Sequence, residues 1–385
     1  MSDFASFMSD FASLGLAAPI LKALVHENYV APTPIQARAI PHVMAGRDVQ
    51  GIAQTGTGKT AAFALPILHR LLANPKPAPR RGCRVLVLSP TRELASQIAD
   101  SFRTYGRQTG LRTALMYGGV PKAKQAKAVG QGIDILVATP GRLMDHMQDG
   151  AIQLNSVEIL VLDEADHMLD LGFIIPIRKI VQSIPPARQT LFFSATMPKE
   201  IAALAGQMLR DPVQVSVTPM ATTADRVEQR VIFVETARKR ALLANILRNA
   251  QMSRVLVFTR TKHGADRVTQ HLEAMGQPAA AIHGDKSQPQ RERALAAFKA
   301  GRISVLVATD IAARGIDVDG VTHVVNFDLP NVPEAYVHRI GRTARAGHTG
   351  IAISFCDSSE RPHLRGIEKL IKARLQVEEP DARAA

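Results

Sequence analysis

VQGIAQTGTGKT, residues 49–60, joins a short apolar run to a glycine-rich loop that opens a helical pattern. Strand, glycine loop and helix in that order form the setting in which backbone N–H groups cradle phosphate oxygens. Gly56 and Gly58 permit this close approach, and the helix N-terminus adds a favourable dipole. Ala53 stands where the general pattern has its first glycine, so a plain glycine-rich turn stays an alternative. The stretch predicts a parallel α/β fold with a nucleotide site at one edge of its sheet.

The same loop and a second, acidic motif predict the chemistry of that site. Lys59 can reach the β- and γ-phosphates of a nucleotide, and the Thr60 hydroxyl can ligate Mg²⁺. EILVLDEAD, residues 158–166, ends a buried run with carboxylates at the same edge of the sheet. Asp163 would hold Mg²⁺, and Glu164 would orient or deprotonate an attacking water. A surface cluster of acids is the alternative, and the glycine loop disfavours it.

Apolar runs that alternate with helical patterns extend this design along the whole chain. They read DVQGIA, RVLVLSP, DILVATP, EILVLDE and QTLFFSAT in the first half, and RVIFVE, RVLVFTR, AAAIHG, ISVLVATD, HVVNFD and GIAISF in the second. RVLVLSPTRE echoes RVLVFTRTK, and DILVATPGR echoes SVLVATDIAARG, so we expect two copies of one unit. Pro219 and a Thr/Ala-rich stretch interrupt both patterns. The expected division is a duplicated, disordered start at 1–10, domains at 11–216 and 227–373, a linker at 217–226 and a disordered tail at 374–385.

Charge favours a polyanionic partner. The net charge of +13 is shared almost evenly, +6 on residues 1–220 and +7 on residues 221–385. This favours a polyanion that lies across both domains over a single basic tail, although a role in solubility stays open. The chain has no Trp and 4% aromatic residues, so stacking of bases on aromatic side chains is not expected to be the main source of nucleic-acid affinity. Contacts to a phosphate backbone would carry the affinity.

Other features of the composition predict a cytoplasmic protein. No run of eighteen apolar residues occurs, and MSDFASF lacks the basic leader of a signal peptide, so no membrane span is expected. Cys83 and Cys356 lack metal-type spacing, which fits a reducing compartment.

Two further stretches are candidates for nucleotide contacts. In APTPIQ, residues 31–36, the Gln36 amide can pair with adenine N6 and N7, and Tyr29 upstream can stack on the base, which would favour ATP over GTP. A stiff turn before a helix is the alternative. In HRIGRTARAG, residues 338–347, a helix would put His338, Arg342 and Arg345 on one face that can grip an anion. A solvated basic surface is the alternative there.

These motifs resemble, in order and spacing, those of the DEAD-box ATP-dependent RNA helicases of superfamily 2. They are AQTGTGKT (53–60), PTREL (90–94), TPGR (139–142), DEAD (163–166), SAT (194–196), HGDKSQ (283–288), ATDIAARGID (308–317) and HRIGRTAR (338–345). The run from FASLGL to PTPIQ is most similar to the bacterial RhlE-type group. The resemblance covers roughly Phe11 to Ile371. It implies two tandem RecA-like domains, each a parallel sheet flanked by helices, joined by a short linker.

The resemblance also implies the residues of the ATP site. Phe11 joins Tyr29 and Gln36 in an adenine-sensing Q motif, in which Asn28 replaces the usual glycine. The implied ATP contacts of the loop are Gln54, Thr55, Gly56, Thr57, Gly58, Lys59 and Thr60. In the second domain the implied residues are the ribose contact Asp317 and the arginine fingers Arg342 and Arg345.

Coupling and RNA-binding residues follow from the same resemblance. Ser194 and Thr196 are implied to hydrogen-bond to Asp166 and, with His338, to couple hydrolysis to RNA work. The implied RNA contacts are Pro90, Thr91, Arg92, Gly118, Gly119, Thr139, Pro140, Gly141, Arg142, Arg260, Gly284, Gln288, Arg291, Thr309 and Asp310. Contacts to phosphate and 2′-OH would favour RNA over DNA without reading sequence. For any single member, a turn or cap role stays open.

The implied function is that of an RNA-dependent ATPase and ATP-dependent RNA helicase. ATP and single-stranded RNA would close the domains and unwind a duplex locally, and hydrolysis with phosphate release would reopen them. A DNA-directed translocase and an ATP-gated RNA clamp stay as alternatives. The resemblance leaves three settings open: ribosome precursors as partners, the RNA-decay machinery with a nuclease, and cold adaptation. Members of the RhlE-type group often carry a basic C-terminal extension, whereas the given sequence ends in the mixed-charge EEPDARAA.

Overall fold

The computed structural model describes residues 11–54, 56–217, 227–248, 252–313, 318, 320–344 and 349–379. The chain divides into two compact units, Met1–Thr218 and Pro219–Ala385. This division lies in the stretch that the sequence predicts as a linker. Several sequence-based predictions fall outside the described residues: the start at 1–10, most of the linker, Thr55, Asp317, Arg345 and the last six residues of the tail.

The first unit is built on a seven-stranded sheet whose strands pair in parallel. Its strands are β1 (Val49–Ile52), β2 (Cys83–Leu88), β3 (Thr113–Met116), β4 (Ile133–Ala138), β5 (Ile159–Leu162), β6 (Gln189–Ser194) and β7 (Val213–Ser216). Their order is β3-β4-β2-β5-β6-β1-β7. Along β2, Val85 and Val87 enter one core, whereas Leu86 and Leu88 enter another. Both faces of the sheet are therefore buried, which explains the continuous apolar runs.

Helices cover the two faces of this sheet. They are α1 (Ala18–His26), α2 (Pro34–Met44), α3 (Lys59–Ala73), α4 (Arg92–Tyr105), α5 (Lys122–Gly130), α6 (Pro140–Gln148), α7 (Ala165–Asp170), α8 (Ile174–Gln182) and α9 (Lys199–Met208), after a 3₁₀ turn at Phe11–Leu14. Helices α1 to α4 pack in one core, and α5 to α9 pack in the other. Because the strands are parallel, their carboxyl ends meet at one edge, where the loops after β1, β2, β4, β5 and β6 carry the motifs.

The second unit repeats this plan. Its parallel strands are β8 (Val227–Phe233), β9 (Val255–Phe258), β10 (Ala279–Ile282), β11 (Val305–Ala308), β12 (His323–Asn326), β13 (Gly350–Cys356) and β14 (Gln376–Val377). Their order, β10-β11-β9-β12-β13-β8-β14, is the order of β1 to β7 applied to β8 to β14. The helices are α10 (Lys239–Ile246), α11 (Lys262–Ala274), α12 (Gln288–Lys299), α13 (Asp310–Ala313), α14 (Pro333–Ile340) and α15 (Arg361–Ile371), with 3₁₀ turns at Thr236–Arg238 and Ser358–Glu360.

The expectation of two copies of one unit is confirmed by this shared strand order. RVLVLSPTRE covers β2 and RVLVFTRTK covers β9, which occupy the same position in their sheets. DILVATPGR covers β4 and SVLVATDIAARG covers β11, which also correspond. The echoes in the sequence therefore mark equivalent strands and the loops that follow them.

Residues 374–379, which the sequence predicts as part of a disordered tail, are instead ordered. Strand β14 pairs with β8, and the Leu375 side chain is buried. The Glu378 N–H donates to the Val231 carbonyl at 2.9 Å. Strand β14 is the counterpart of β7, so it completes the edge of the second sheet. A strand of two residues carries no periodicity, which is why the sequence does not reveal it.

The helix expected over residues 338–345 ends early. Helix α14 stops at Ile340, Gly341 follows as its C-cap, and Ala344 has a left-handed φ of 55°. Glycine just after the last helical turn is a common stop signal. His338 therefore lies in the last turn of the helix, whereas Arg342 lies after its end, where its Nε donates to the His338 carbonyl at 3.3 Å.

Among the described residues, no helix combines the length and the apolar character that crossing a membrane requires.

Candidate nucleotide and RNA site

The loop between β1 and α3 has the backbone that phosphate binding requires. Gly56 and Gly58 have φ values of 83° and 91°, a region that side chains disfavour. Gly58 is also the N-cap of α3, and a Cβ atom built there would lie 2.3 Å from the Gln36 amide nitrogen. Both conformation and space therefore demand glycine at this position.

Lys59 is buried and bonded within its own loop. Its Nζ donates to the Ala53 carbonyl at 2.9 Å, and Thr57 Oγ1 donates to the Gln54 carbonyl at 2.7 Å. Thr60, in the first turn of α3, is partly buried. The loop is thus folded on itself, and a phosphate would replace the Ala53 carbonyl as the partner of the ammonium group.

Asp163 follows β5 and carries a buried carboxylate. Its Oδ1 accepts the Glu164 N–H at 3.0 Å. Burial raises the pKa of Asp163 to about 7; nearby Lys59 opposes the rise, and Glu164 adds to it. A cation beside this carboxylate would favour its charged form, which fits a metal ligand. No group of three or more His, Cys, Asp and Glu side chains in the described part of the chain could hold a metal. One carboxylate with a hydroxyl suits Mg²⁺, which usually keeps waters and phosphate oxygens as its other ligands.

Glu164 is held in an unusual backbone conformation. Its φ of 53° is left-handed, which is costly for a residue other than glycine and concentrates at functional sites. The side chain is buried, and its Oε2 lies 3.4 Å from His167 Nδ1. The sequence reasoning did not select His167, although it stands one turn after Glu164 in the DEADH run.

The third acidic residue, Asp166, is joined to the SAT motif. Its backbone N–H donates to Ser194 Oγ at 3.2 Å, and its Oδ2 accepts from Thr196 N–H and Oγ1 at 2.9 and 2.8 Å. The predicted hydrogen bonds are therefore present, with Ser194 bound to the backbone of Asp166. This arrangement connects the ends of β5 and β6 beside the candidate ATP site.

The aromatic residues of the Q motif form a braced cluster. The Tyr29 ring centroid lies 6.0 Å from that of Phe11 and 5.9 Å from that of Tyr105. The Tyr29 and Tyr105 hydroxyls are 2.8 Å apart. Asn28 has a φ of 57°, so it adopts the left-handed conformation that glycine would supply in the family pattern. The Tyr29 ring is therefore held in place between α1 and α2 in the sequence, with 37% of the residue exposed.

Gln36 joins the Q motif to the phosphate loop. Its Nε2 donates to the Gly58 carbonyl at 3.1 Å, and its Oε1 accepts the Thr33 N–H at 2.9 Å. An amide has two donor hydrogens and two acceptor lone pairs, so one of each remains for adenine. Binding a base at Gln36 would thus be sensed directly at the N-cap of α3.

Arg92, a predicted RNA contact in the first unit, has its guanidinium group packed against two glycines. A Cβ atom built on Gly119 would lie 2.1 Å from Arg92 Nη1, and one on Gly118 would lie 3.2 Å from Nη2. The two glycines therefore admit the guanidinium group against the backbone. Thr91 caps α4, accepting the Leu94 N–H at 3.3 Å, so its hydroxyl already has a structural role.

The TPGR motif opens α6, with Thr139 as its N-cap and Pro140 as its first residue. Gly141 is exposed, whereas the Arg142 side chain is only 10% exposed. Arg142 Nη1 donates to the Val120 carbonyl at 2.8 Å and to Gln125 Oε1 at 3.2 Å. Arg142 therefore connects α6 to the loop that contains Gly118 and Gly119. The sequence alone does not distinguish this structural role from an RNA contact.

In the second unit, Asp310 is paired with an arginine that the sequence reasoning did not select. Its Oδ1 and Oδ2 accept from Arg339 Nε and Nη2 at 2.5 and 2.7 Å. Arg339 is buried, and its Nη1 also donates to Asn326 Oδ1 and the Asp328 carbonyl. Asp310 therefore anchors α14, and with its side chain 29% exposed the RNA contact at this residue stays a prediction. In the sequence, Asp310 stands out only because it follows Thr309 just after the end of β11.

Four further predicted residues of the second unit lie on two loops and one helix. Gly284 is exposed after β10 and has free space around it. Gln288 begins α12 and donates to Glu292 at 3.0 Å, and Arg291 is partly buried on the same helix. Arg260 follows β9 with its side chain 38% exposed.

Two family models match the chain. DEAD/DEAH box helicase matches residues 33–204, and helicase conserved C-terminal domain matches residues 238–347. Each range lies within one of the two structural units, and together they include the phosphate loop, the DEAD and SAT motifs and the HRIGRTAR motif. The chain belongs to the DEAD/DEAH box helicase family, as its motifs indicated.

Curated relatives agree with this assignment. The chain is 44% identical over 375 residues to DEAD-box ATP-dependent RNA helicase 30 of Arabidopsis thaliana, covering 97% of this chain and 64% of that protein. It is 42% identical over 377 residues to ATP-dependent RNA helicase CshA of Limosilactobacillus reuteri, covering 97% and 75%. The chain thus spans about two thirds to three quarters of these relatives.

Solved structures show the same two-unit architecture. S. cerevisiae Dbp5 bound to RNA and ADP BeF3 matches with a TM-score of 0.85 and 31% identity, over 97% of this chain and 96% of that one. Mss116p bound to ssRNA and AMP-PNP matches with a TM-score of 0.87 and 26% identity, over 100% and 82%.

Proposed function

We propose that this chain is an RNA-dependent ATPase and ATP-dependent RNA helicase. The observation that carries the proposal is the network that joins Asp166 to Ser194 and Thr196 beside Lys59 and the acidic pair. It provides a physical link between nucleotide chemistry and a neighbouring loop. The named relatives are ATP-dependent RNA helicases, and two related structures hold RNA with a nucleotide.

In the ATP site, the proposed chemistry uses side chains at the ends of β1 and β5. Lys59 leaves the Ala53 carbonyl and binds the β- and γ-phosphates. Thr60 and Asp163 would hold Mg²⁺, which when bound neutralises phosphate charge. Glu164 orients the attacking water and accepts its proton as the water oxygen bonds to the γ-phosphorus. The bond from that phosphorus to the bridging oxygen breaks, and ADP leaves.

Adenine recognition would follow from the Q motif. The unused donor and acceptor of Gln36 suit adenine N7 and N6, a pairing that guanine cannot make in the same way. Tyr29, held between Phe11 and Tyr105, supplies a flat surface for the base. The shared hydrogen bond to Gly58 would report base binding to the phosphate loop.

Closure of the two units would complete the catalytic site. Arg342 and Arg345 would act as arginine fingers on the γ-phosphate, Asp317 would contact the ribose, and His338 would take part in coupling. An arginine finger changes the rate by roughly 10³–10⁵-fold, so hydrolysis would depend on closure. RNA that binds both units favours the closed state and thereby accelerates hydrolysis.

RNA would be gripped through its backbone. Arg92 on its glycine platform, the helix starts at Thr91 and Thr139, and exposed Arg260 offer donors to phosphate and 2′-OH groups. Even positive charge on both units supports a path across them. Binding would therefore be salt-sensitive and largely independent of sequence.

A finer placement is also proposed. The run from FASLGL to PTPIQ supports the bacterial RhlE-type group, and the composition supports a cytoplasmic location. Ribosome precursors or the RNA-decay machinery are proposed as partners from the family resemblance. The relatives described above come from a plant and from Limosilactobacillus reuteri. The RhlE-type grouping is therefore supported by the sequence resemblance and not by these relatives.

Strand separation provides the test of the proposed function. A short fluorescent RNA duplex with a single-stranded extension is mixed with the chain and ATP, ADP or AMP-PNP. We expect rapid release of the labelled strand with ATP and multiple rounds only when ATP is hydrolysed. ATP-dependent retention of RNA without any strand release would contradict helicase activity and support a clamp.

A further inference from the structure

Arg260, a predicted RNA contact, is fixed on one side and open on the other. Its Nη2 donates to the Leu329 carbonyl at 3.1 Å and to Glu360 Oε1 at 2.7 Å, while its backbone N–H donates to Asp328 Oδ2 at 2.9 Å. The side chain stays 38% exposed. Within the described residues, Nε and Nη1 have no hydrogen-bond partner. Three of its five N–H donors are therefore left for a ligand.

Glu360 is held so firmly that it can act as a fixed support. The residue is 2% exposed. Oε1 accepts the Leu329 N–H at 3.0 Å as well as Arg260, and Oε2 accepts Lys239 Nζ at 2.6 Å and the Asp357 N–H at 3.3 Å. Four donors match the lone-pair sites of a carboxylate, so this group has little freedom to move.

Lys239 explains why a carboxylate can be buried here. Lys239 is fully buried, and its Nζ also lies 3.6 Å from Asp357 and 3.8 Å from Asp328. A buried charge without a partner is costly, and the contact at 2.6 Å gives Lys239 and Glu360 each an oppositely charged partner. Neither residue belongs to the motifs from which the family resemblance was drawn.

We infer that Glu360, supported by Lys239, is a positioning residue that orients Arg260 for a phosphate of bound RNA. This inference rests on the proposed function. A free arginine side chain loses much rotamer freedom when it binds, whereas a guanidinium already held by Glu360 has little left to lose. Charge alone predicts the opposite effect, because removing an anion beside Arg260 would strengthen attraction to RNA. The test must therefore keep the net charge of this cluster unchanged, so that only the support of Arg260 varies.

The test uses a charge-neutral pair of substitutions. Lys239→Met with Glu360→Leu removes one cation and one anion, and it leaves Arg260 with the Leu329 carbonyl but without its carboxylate partner. Lys239→Met with Glu360→Gln is the matched control, because the amide oxygen can still accept from Arg260. Thermal melting of each variant establishes that it folds. RNA-stimulated ATP hydrolysis then gives the RNA concentration for half-maximal stimulation and kcat at saturating RNA.

We expect the Leu variant to need about tenfold more RNA, with kcat retained, and the Gln variant to stay within about twofold. In an Arg260→Ala background, the Leu substitution pair should have almost no further effect on RNA. An equal effect with and without Arg260 would mean a general structural role and would overturn the inference. Unchanged or tighter RNA binding in the Leu variant would also overturn it.

A second variant covers the case in which the Leu variant does not fold. Glu360→Asp keeps the charge beside Lys239 but shortens the reach to Arg260, so it should raise the RNA requirement in the same way. If the unaltered chain shows no RNA-stimulated hydrolysis, the proposed function fails together with this inference. If it responds to RNA and Glu360→Asp behaves identically, the inference alone fails.

Discussion

Thr196 donates two hydrogen bonds to a single oxygen of Asp166, from its backbone N–H at 2.9 Å and from Oγ1 at 2.8 Å. Ser194, at the end of β6, accepts the Asp166 N–H. Thr196 itself is exposed, although its partner is buried. The last residue of the acidic motif is thus connected to a loop that another molecule can reach.

Loss of this connection should separate hydrolysis from unwinding. We predict that Thr196→Ala keeps RNA-stimulated ATP hydrolysis within about threefold and slows duplex unwinding by about tenfold or more, as expected for losing a hydrogen bond to a charged group. Thr196→Ser, which keeps the hydroxyl, is the control. Parallel losses of hydrolysis and unwinding in the Ala variant would argue against a coupling role.

Removing the general base should leave binding intact. We predict that Glu164→Gln lowers kcat for ATP hydrolysis by about 10²–10⁴-fold, because the amide cannot accept a proton from water. ATP-dependent RNA retention, measured by fluorescence anisotropy, should persist. Asp170→Asn, which removes an exposed carboxylate at the end of the same helix, is the control. Loss of retention together with hydrolysis would contradict the assigned role.

The glycine platform under Arg92 predicts a specific defect in RNA binding. In Gly119→Ala, the new methyl group would meet Arg92 Nη1 at 2.1 Å, so the guanidinium must move. We expect the RNA requirement for stimulated hydrolysis to rise about tenfold, with the KM for ATP unchanged. Gly110→Ala is a matched control, because Gly110 also has a left-handed φ, of 72°, but has free space around it. Equal defects in both variants would indicate backbone strain alone.

The Asp310–Arg339 ion pair predicts a stability effect. Asp310→Ala leaves a buried guanidinium without its carboxylate, and we expect a loss of about 3 kcal/mol in the unfolding free energy. Adding Arg339→Met should restore much of it, since the uncompensated charge is removed. Urea unfolding followed by circular dichroism measures both changes. A stable Asp310→Ala variant with weaker RNA binding would contradict this structural role and support the predicted RNA contact.

Local patterns predicted much of the fold, and they selected residues that the first sheet brings together at its carboxyl edge. Glycines at 56 and 58, the strand-end Asp163 and the repeated apolar runs each have a direct chemical meaning, so the parallel sheets and the phosphate loop follow from them. Strand β14 was not predicted, because two residues are too few to show the alternating hydrophobic pattern of a strand. The structural role of Arg339 was not predicted, because this residue lies in an arginine-rich motif whose charge suggests exposure. Only the fold shows that it is buried.

Side-chain partners between distant parts of the chain were the least predictable. Lys239 and Glu360 are more than a hundred residues apart in sequence, and their hydrogen bond depends on how β13 and the 3₁₀ turn at Ser358–Glu360 pack against α10. The same holds for Gln36 and Gly58, which meet only when α2 packs on α3. Sequence motifs identify the reacting groups, whereas packing decides what supports them.

The central claim is that RNA controls ATP hydrolysis by this chain. Steady-state hydrolysis measured without nucleic acid, with single-stranded RNA and with DNA of the same sequence, each at two salt concentrations, tests it most directly. The account predicts strong stimulation by RNA alone, weakened at the higher salt concentration because phosphate contacts dominate. Equal stimulation by DNA, or hydrolysis that does not respond to RNA, would contradict it.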